Sequence, residues 1–246
     1  MHLPADWIEP DWPAPAHVRA FVTTRNGGSS EQPYASLNLG TRVGDEPAAV
    51  ARNRAVVRAV VPAEPKWLRQ VHGTHVVEAD RAQPEPEADA AFTRAKDTVC
   101  VVQIADCMPV LFCDRQGQRV GVAHAGWRGL SSGVLESMIG ALGVEPAQLL
   151  AWLGPAIGPA AFEVGSDVLQ AFGASEDGAA NAAFEPLREG KWLADLYALA
   201  RLRLGKAGVT AVSGGGFCTF NDRSRFFSHR RDGVSGRQAA FIWIES

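Results

Sequence analysis

Residues 118–143 read QRVGVAHAGWRGLSSGVLESMIGALG. As far as Gly126 the stretch is a run of small and β-branched residues and predicts a buried strand. From Trp127 onward the apolar residues recur at the spacing of one helix face, which predicts a helix over 127–143. Two further apolar runs come just before, TVCVVQIADC (98–107) and PVLFCD (109–114), and Asp114-Arg115-Gln116-Gly117 reads as the turn into the third strand. At the strand-to-helix junction stand His124 and Arg128, groups that a packed core does not need.

Working outward, HVRAFVTTR (17–25) predicts a strand that ends in the turn formers NGGSS, and PYASLNLGTRVGD (33–45) an ordered loop. Asp45 is expected to cap a helix over 46–61 that stops before Pro62. KWLRQVHG (66–73) and THVVEAD (74–80) read as two strands around Gly73, and QPEPEAD (83–89) as a polar connection. LLAWLGP (149–155) predicts a buried strand, followed by a loop through Gly165. Helices are expected near 166–173 and 191–208, strands at 209–213 and 238–245, and a surface excursion over 173–186. Strands and helices mix without strict alternation, so the expected class is α+β rather than a doubly wound sheet.

A chain of 246 residues that is 46% hydrophobic can bury a sizeable core. With no repeat and no convincing linker, the expectation is one domain over 1–246, with 1–17 as an N-terminal extension. Charged residues make up 21% and the net charge is −3, so nothing points to nucleic acid or an anionic membrane as partner. No apolar run approaches a membrane span. MHLPADWIEPDWPAP is acidic and proline-rich, the opposite of a signal peptide. A soluble, cytoplasmic protein is expected. The four cysteines show neither a CxxC pair nor the density of a disulfide scaffold, and Cys100 and Cys113 read as small core residues.

Of the six histidines, His2 and His17 fall in the polar N-terminal segment. His72, Cys107 and His124 each stand where an apolar run stops. If the fold brings those ends together, two imidazoles and a thiolate can hold one ion, and three such ligands leave a tetrahedral zinc one open position. Bound zinc lowers the pKa of its water to roughly 7. Copper is the alternative ion, since a His₂Cys set also suits it and Met108 adjoins Cys107. A Cys107–His124 nucleophile pair is the competing reading, because a thiolate is activated by a neighbouring imidazole.

The segments TRNGGSSEQPYASLNLGTRVGD, Asn53-Arg54, QVHG, ADCMPVLFCD, HAGWRG and CTF…FFSHRRDGVSGRQAAFI occur in this order across almost the whole chain. Together they resemble the laccase-domain (multicopper polyphenol oxidase-like) family, also called the peptidoglycan editing factor family. The resemblance implies a single α+β domain of mixed β-sheets sandwiched by helices, with His72, Cys107 and His124 as the metal ligands. It further implies a zinc-dependent enzyme that splits adenosine, inosine or methylthioadenosine with phosphate and deaminates adenosine. The implied partners are then a purine nucleoside and phosphate, and the chain is expected as a monomer or homodimer. The alternative the family offers is removal of misincorporated L-serine from UDP-MurNAc peptidoglycan precursors, by zinc-activated water or by Cys107 as nucleophile. A true multicopper oxidase needs several imidazole-rich sites, which six histidines do not supply.

Asp106 is the candidate general acid/base, with a loop-orienting carboxylate as its other reading. Arg128 is the candidate phosphate-binding residue at the start of the helix after His124. Arg25, Asn38 and Arg54, all from matched segments, are candidates for substrate binding. His75 reads as a surface or supporting histidine, and His229 as a backbone-binding one, with lining of the pocket as its other reading. Trp67, Phe217 and Phe226 read as core aromatics, with stacking on a purine as the alternative.

Overall fold

The computed structural model describes residues 3–174 and 178–246. Its strands, in chain order, are β1 (Val18–Val22), β2 (Val76–Glu78), β3 (Ala90–Thr93), β4 (Cys100–Ile104), β5 (Met108–Asp114) and β6 (Val120–Ala125). They continue with β7 (Leu149–Leu153), β8 (Glu163–Gly165), β9 (Phe184–Arg188), β10 (Lys191–Ala194), β11 (Ala211–Gly214) and β12 (Gln238–Ile244). The helices are α1 (Pro47–Arg58), α2 (Trp127–Ser132), α3 (Val134–Leu142), α4 (Ser166–Ala171), α5 (Gly178–Asn181), α6 (Leu196–Lys206) and α7 (His229–Asp232).

Six strands form the main sheet in the order β11-β7-β5-β6-β3-β2. Its two outer pairs are parallel and its three inner pairs antiparallel. Strands β1-β12-β4 form a second, antiparallel sheet that lies face to face with the first. Val102, Ala240 and Ile242 of the small sheet pack on Leu111, Val122 and Trp152 of the large one. The opposite face of the large sheet is covered by α3 and α6 through Met138, Leu142, Leu199 and Leu204. The opposite face of the small sheet carries Phe21, Phe241 and Trp243, packed with Val57 of α1 and with Trp7. Helices therefore close both outer faces of two stacked sheets, the expected α+β arrangement. Because both faces are covered, β5 and β6 are buried at every position and read as continuous apolar runs rather than alternating ones.

Several local expectations need correction. Glu46, not Asp45, caps α1: its carboxylate accepts the amides of Ala48 and Ala49 at 2.9 and 2.6 Å, with Pro47 in the first turn. The Asp45 carboxylate is drawn instead to Ser30 and Asn38. Residues 66–75 form no continuous strand; their β-bridges are the isolated ones of Lys66 to Cys100 and Arg69 to Glu87. The loop after β7 contains β8, and 191–194 is a strand before the helix α6 begins. Within 173–186 lie α5 and the start of β9, while 175–177 lie outside the described residues, as does His2. The N-terminal segment packs on the sheets: Trp7 is buried and Ile8 exchanges two hydrogen bonds with Val22.

The helix predicted over 127–143 is two helices. Gly133, at φ 103°, ends α2 in the left-handed region and starts α3. A side chain there meets nothing closer than 3.6 Å, so the requirement for glycine is conformational, not steric crowding. Gly133→Ala is expected to lower folding stability by about 1–2 kcal/mol, the cost of a left-handed non-glycine residue. Urea unfolding of the two proteins measures it, and an unchanged midpoint would show that the break between α2 and α3 can relax.

Candidate metal centre

The hairpin between β5 and β6 places Pro109 opposite His124. Cys107 sits just ahead of β5, at a corner where Asp106 has φ 85°. His72 comes from the irregular loop after Arg69 and has φ 62°. The three do not all sit at strand ends, yet they meet. Their ligand atoms lie within 4.8 Å of one another, and Cys107 Sγ is 3.8 Å from His72 Nε2. That separation is close to the roughly 3.5 Å edge of a tetrahedron built from zinc–sulfur and zinc–nitrogen bonds of roughly 2.3 and 2.0 Å.

Asp89, at the head of β3, holds the group together. It is fully buried, and its carboxylate accepts Nδ1 of His124 at 2.8 Å and the amides of Val71, His72 and Gly73 at 3.1, 2.9 and 2.7 Å. Nδ1 is thereby occupied, which leaves Nε2 of His124 as the metal-facing nitrogen. Burial works against the ionised carboxyl, but the His124 and amide hydrogen bonds outweigh it and depress its pKa.

The glycines of HAGWRG have separate steric reasons. A Cβ on Gly126 would lie 2.7 Å from Cys107 Sγ and 3.1 Å from His72 Cδ2. A Cβ on Gly129 would lie 2.9 Å from the Gly73 carbonyl oxygen, so α2 can approach the His72 loop only without one. Imidazole, thiolate and imidazole, braced by a buried carboxylate and closed in by a glycine, fit a tetrahedral N/S metal site.

A cavity of about 430 Å³ opens over this group. Its wall includes the three ligands together with Arg42, Arg128, His229 and Arg237. Arg128 lies over Trp127, 4.4 Å from the ring centroid. Arg237 is anchored through Nη1 to the carbonyls of Ser235 and Gly236, both at 2.9 Å. Glu85 is the carboxylate in the wall, and it pairs with Arg42 and Arg54.

Other predicted residues stand elsewhere. Asp106 is buried and outside the cavity wall; its oxygens accept Thr219 Oγ1, Ser228 Oγ and the Arg230 amide at 2.6, 3.0 and 2.7 Å. With its acceptor sites taken, it orients the chain around Cys107. Arg25 bonds the carbonyls of Ala35 and Arg223 and lies over Phe227. Asn38 is buried and fixes the amides of Gly40 and Arg237, two residues that do line the cavity. Arg54 bonds the Leu39 carbonyl and covers Trp67 at 3.8 Å. These three shape the walls from behind. Among the histidines, His75 bonds the Glu87 carbonyl, whereas His229 reaches the cavity wall, contrary to the expectation of a backbone role. Trp67 and Phe226 are buried in the core. The sequence singles out neither Asp89, which ends a polar connection, nor Arg237, which is one of several arginines in its matched segment.

Residues 19–245 match the family model described as multi-copper polyphenol oxidoreductase laccase. The chain belongs to this family. A curated relative in Pseudomonas aeruginosa, named purine nucleoside phosphorylase, is 53% identical over 97% of this chain and 98% of its own length. The Escherichia coli purine nucleoside phosphorylase YfiH is 49% identical over 96% of this chain and 98% of its own. A solved Neisseria meningitidis protein superposes with a TM-score of 0.94 at 51% identity, covering 98% of this chain and 100% of its own. YlmD from Geobacillus stearothermophilus superposes at 0.91 with 30% identity, covering 100% and 98%. The multi-copper name does not describe the donors here: among the described residues, one group of three or more candidate ligands occurs.

Two outcomes follow from this geometry. Burial raises the pKa of Cys107, but His124 and His72 more than reverse it and bring the thiol down to about 6, with His124 raised in turn. In metal-free protein the thiolate therefore persists above that pH and is lost below it. Iodoacetamide alkylation of Cys107 should rise through a midpoint near pH 6; a midpoint near that of an ordinary thiol would contradict the pairing. Asp89→Asn should weaken zinc binding about 10- to 100-fold in chelator competition, as loss of a carboxylate behind a ligating histidine does. Unchanged affinity would mean that His124 needs no such support.

Proposed function

We propose that the chain is a zinc-dependent purine nucleoside enzyme that splits adenosine, inosine or methylthioadenosine with phosphate and also deaminates adenosine. The observation that carries this reading is the joining of the His72–Cys107–His124 group and two arginines that form no salt bridge among the described residues, Arg128 and Arg237, in one cavity. The names of the close relatives point the same way. When bound, zinc would supply Lewis acidity at the one position that three protein ligands leave open.

The protein's own groups account for the rest. Arg237 arrives pre-oriented, since the carbonyls that hold Nη1 leave its other N–H groups to an anion. Arg128 offers a second guanidinium across the wall. Phosphate held by the pair attacks C1′ of the ribose, the C1′–N9 bond breaks, and the base takes up a proton as it leaves. His229, the cavity imidazole outside the metal group, hands over that proton in this reading, supported by its position in the cavity wall. The four cysteines are unpaired, which agrees with the reducing cytoplasm as the place of action.

Zinc-loaded protein incubated with adenosine should give adenine and ribose 1-phosphate only when phosphate is present, and inosine in either buffer. Both products should vanish in Cys107→Ala. Arg237→Gln should raise the KM for phosphate about 10- to 100-fold, the worth of a charge-assisted hydrogen bond pair, while moving the KM for nucleoside little. Adenosine left intact by protein with zinc confirmed bound would overturn the reading and bring serine removal from peptidoglycan precursors to the front.

A further inference from the structure

A second cavity, about 310 Å³, lies beside the first. Trp67, Leu68, Val77, Ala79, Pro84 and Pro86 give it an apolar wall. Leu68 and Glu85 line both cavities, so the two adjoin. The Glu85 carboxylate at this junction is held by Arg42 at 3.2 Å and faces Arg54 at 3.8 Å. A group lying along it therefore meets a charge already neutralised. Pro84 and Pro86 bracket Glu85, whose φ is 46°, and proline on either side stiffens the loop. A preformed apolar wall loses little freedom when a ligand fills it.

The metal cavity alone is large enough for a nucleoside and a phosphate, so neither needs the second one. We propose that the second cavity is a subsite for an apolar substituent carried by the nucleoside, of butyl to benzyl size. The proposal rests on the purine nucleoside reading and adds to its substrate class nucleosides extended by a hydrocarbon group of this size. That group could be borne on the 5′ position or on the exocyclic nitrogen of the base, and the chemistry required of the wall is the same. Each methylene moved from water into it should tighten binding by about fourfold.

The test measures dissociation constants by calorimetry for zinc-loaded protein with adenosine and two ligand series. One series is 5′-alkylthio-5′-deoxyadenosines and the other N6-alkyladenosines, each with methyl, butyl and benzyl groups. Ala82 lines only the second cavity and is partly exposed, so Ala82→Trp fills it at small risk to folding. Ala82→Phe serves as a second, smaller plug, with thermal unfolding to check integrity. The expected result is at least tenfold tighter binding from methyl to butyl in one series, which identifies the end of the nucleoside that enters. That gain should disappear in both variants while adenosine affinity stays within twofold. Affinities flat along both series, or a gain that survives both variants, overturn the subsite and leave the parent reading intact. Failure of adenosine itself to bind would overturn the parent reading, and the subsite with it.

Discussion

One buried carboxylate ties the two histidines of the metal group to the sheet. Asp89 accepts the imidazole of His124 through its side chain and the His124 amide through its carbonyl, at 2.8 and 2.7 Å. Strand register and ring orientation are thus set by the same residue. Its carboxylate also gathers three successive amides of the His72 loop. His72 has a left-handed backbone, a conformation that costs about 1–2 kcal/mol in a residue other than glycine. Three hydrogen bonds to an ionised acceptor are enough to offset that cost and hold a loop with no sheet pairing of its own.

Asp106 has the complementary task on the Cys107 side. Its left-handed corner turns the chain out of β4 and presents the thiol, while its carboxylate clasps Thr219, Ser228 and the Arg230 amide. The clasp fixes the segment that carries His229. Gln238 bonds both backbone groups of Phe227, and Asn38 holds the Arg237 amide, so the cationic wall is locked to the edge of the closing strand. Two carboxylates 17 residues apart therefore position the three candidate ligands and the arginine-bearing side of the cavity, and neither stands in the cavity wall itself.

The candidate ligands stand out in the sequence as two imidazoles and a thiol where apolar runs stop, but that pattern alone leaves a metal site and a Cys107–His124 nucleophile pair both open, and only the family resemblance implies the triad. The central strands were legible because burial on both faces leaves unbroken apolar runs. Asp89 was not, since a carboxylate at the end of a polar, proline-rich connection looks like any solvated loop acid until the fold buries it. Asp106 is a candidate because it adjoins Cys107, and its second reading, a carboxylate that orients a loop, is the one its hydrogen bonds match; Arg25, Asn38 and Arg54 are candidates because they lie in matched segments, but a matched segment serves packing as readily as catalysis. Gly133 was passed over because the apolar spacing continues across it, although the backbone reverses its handedness there.

Charge separates the reactions such a site can host. A divalent ion held by one thiolate and two neutral imidazoles keeps a net positive charge. Arg128 and Arg237 add to it, and the carboxylate of Glu85 is already answered by Arg42 and Arg54. The cavity therefore favours a reactant that brings negative charge with it. Water as the attacking partner would bring no charge to meet these groups, and the cavity's positive charge would go unanswered. A phosphate dianion supplies the missing charge, and its own desolvation is offset by the charge-assisted hydrogen bonds it gains from guanidiniums in the wall. Electrostatics thus supports phosphate as the acceptor of the ribose for a reason independent of any relative's name.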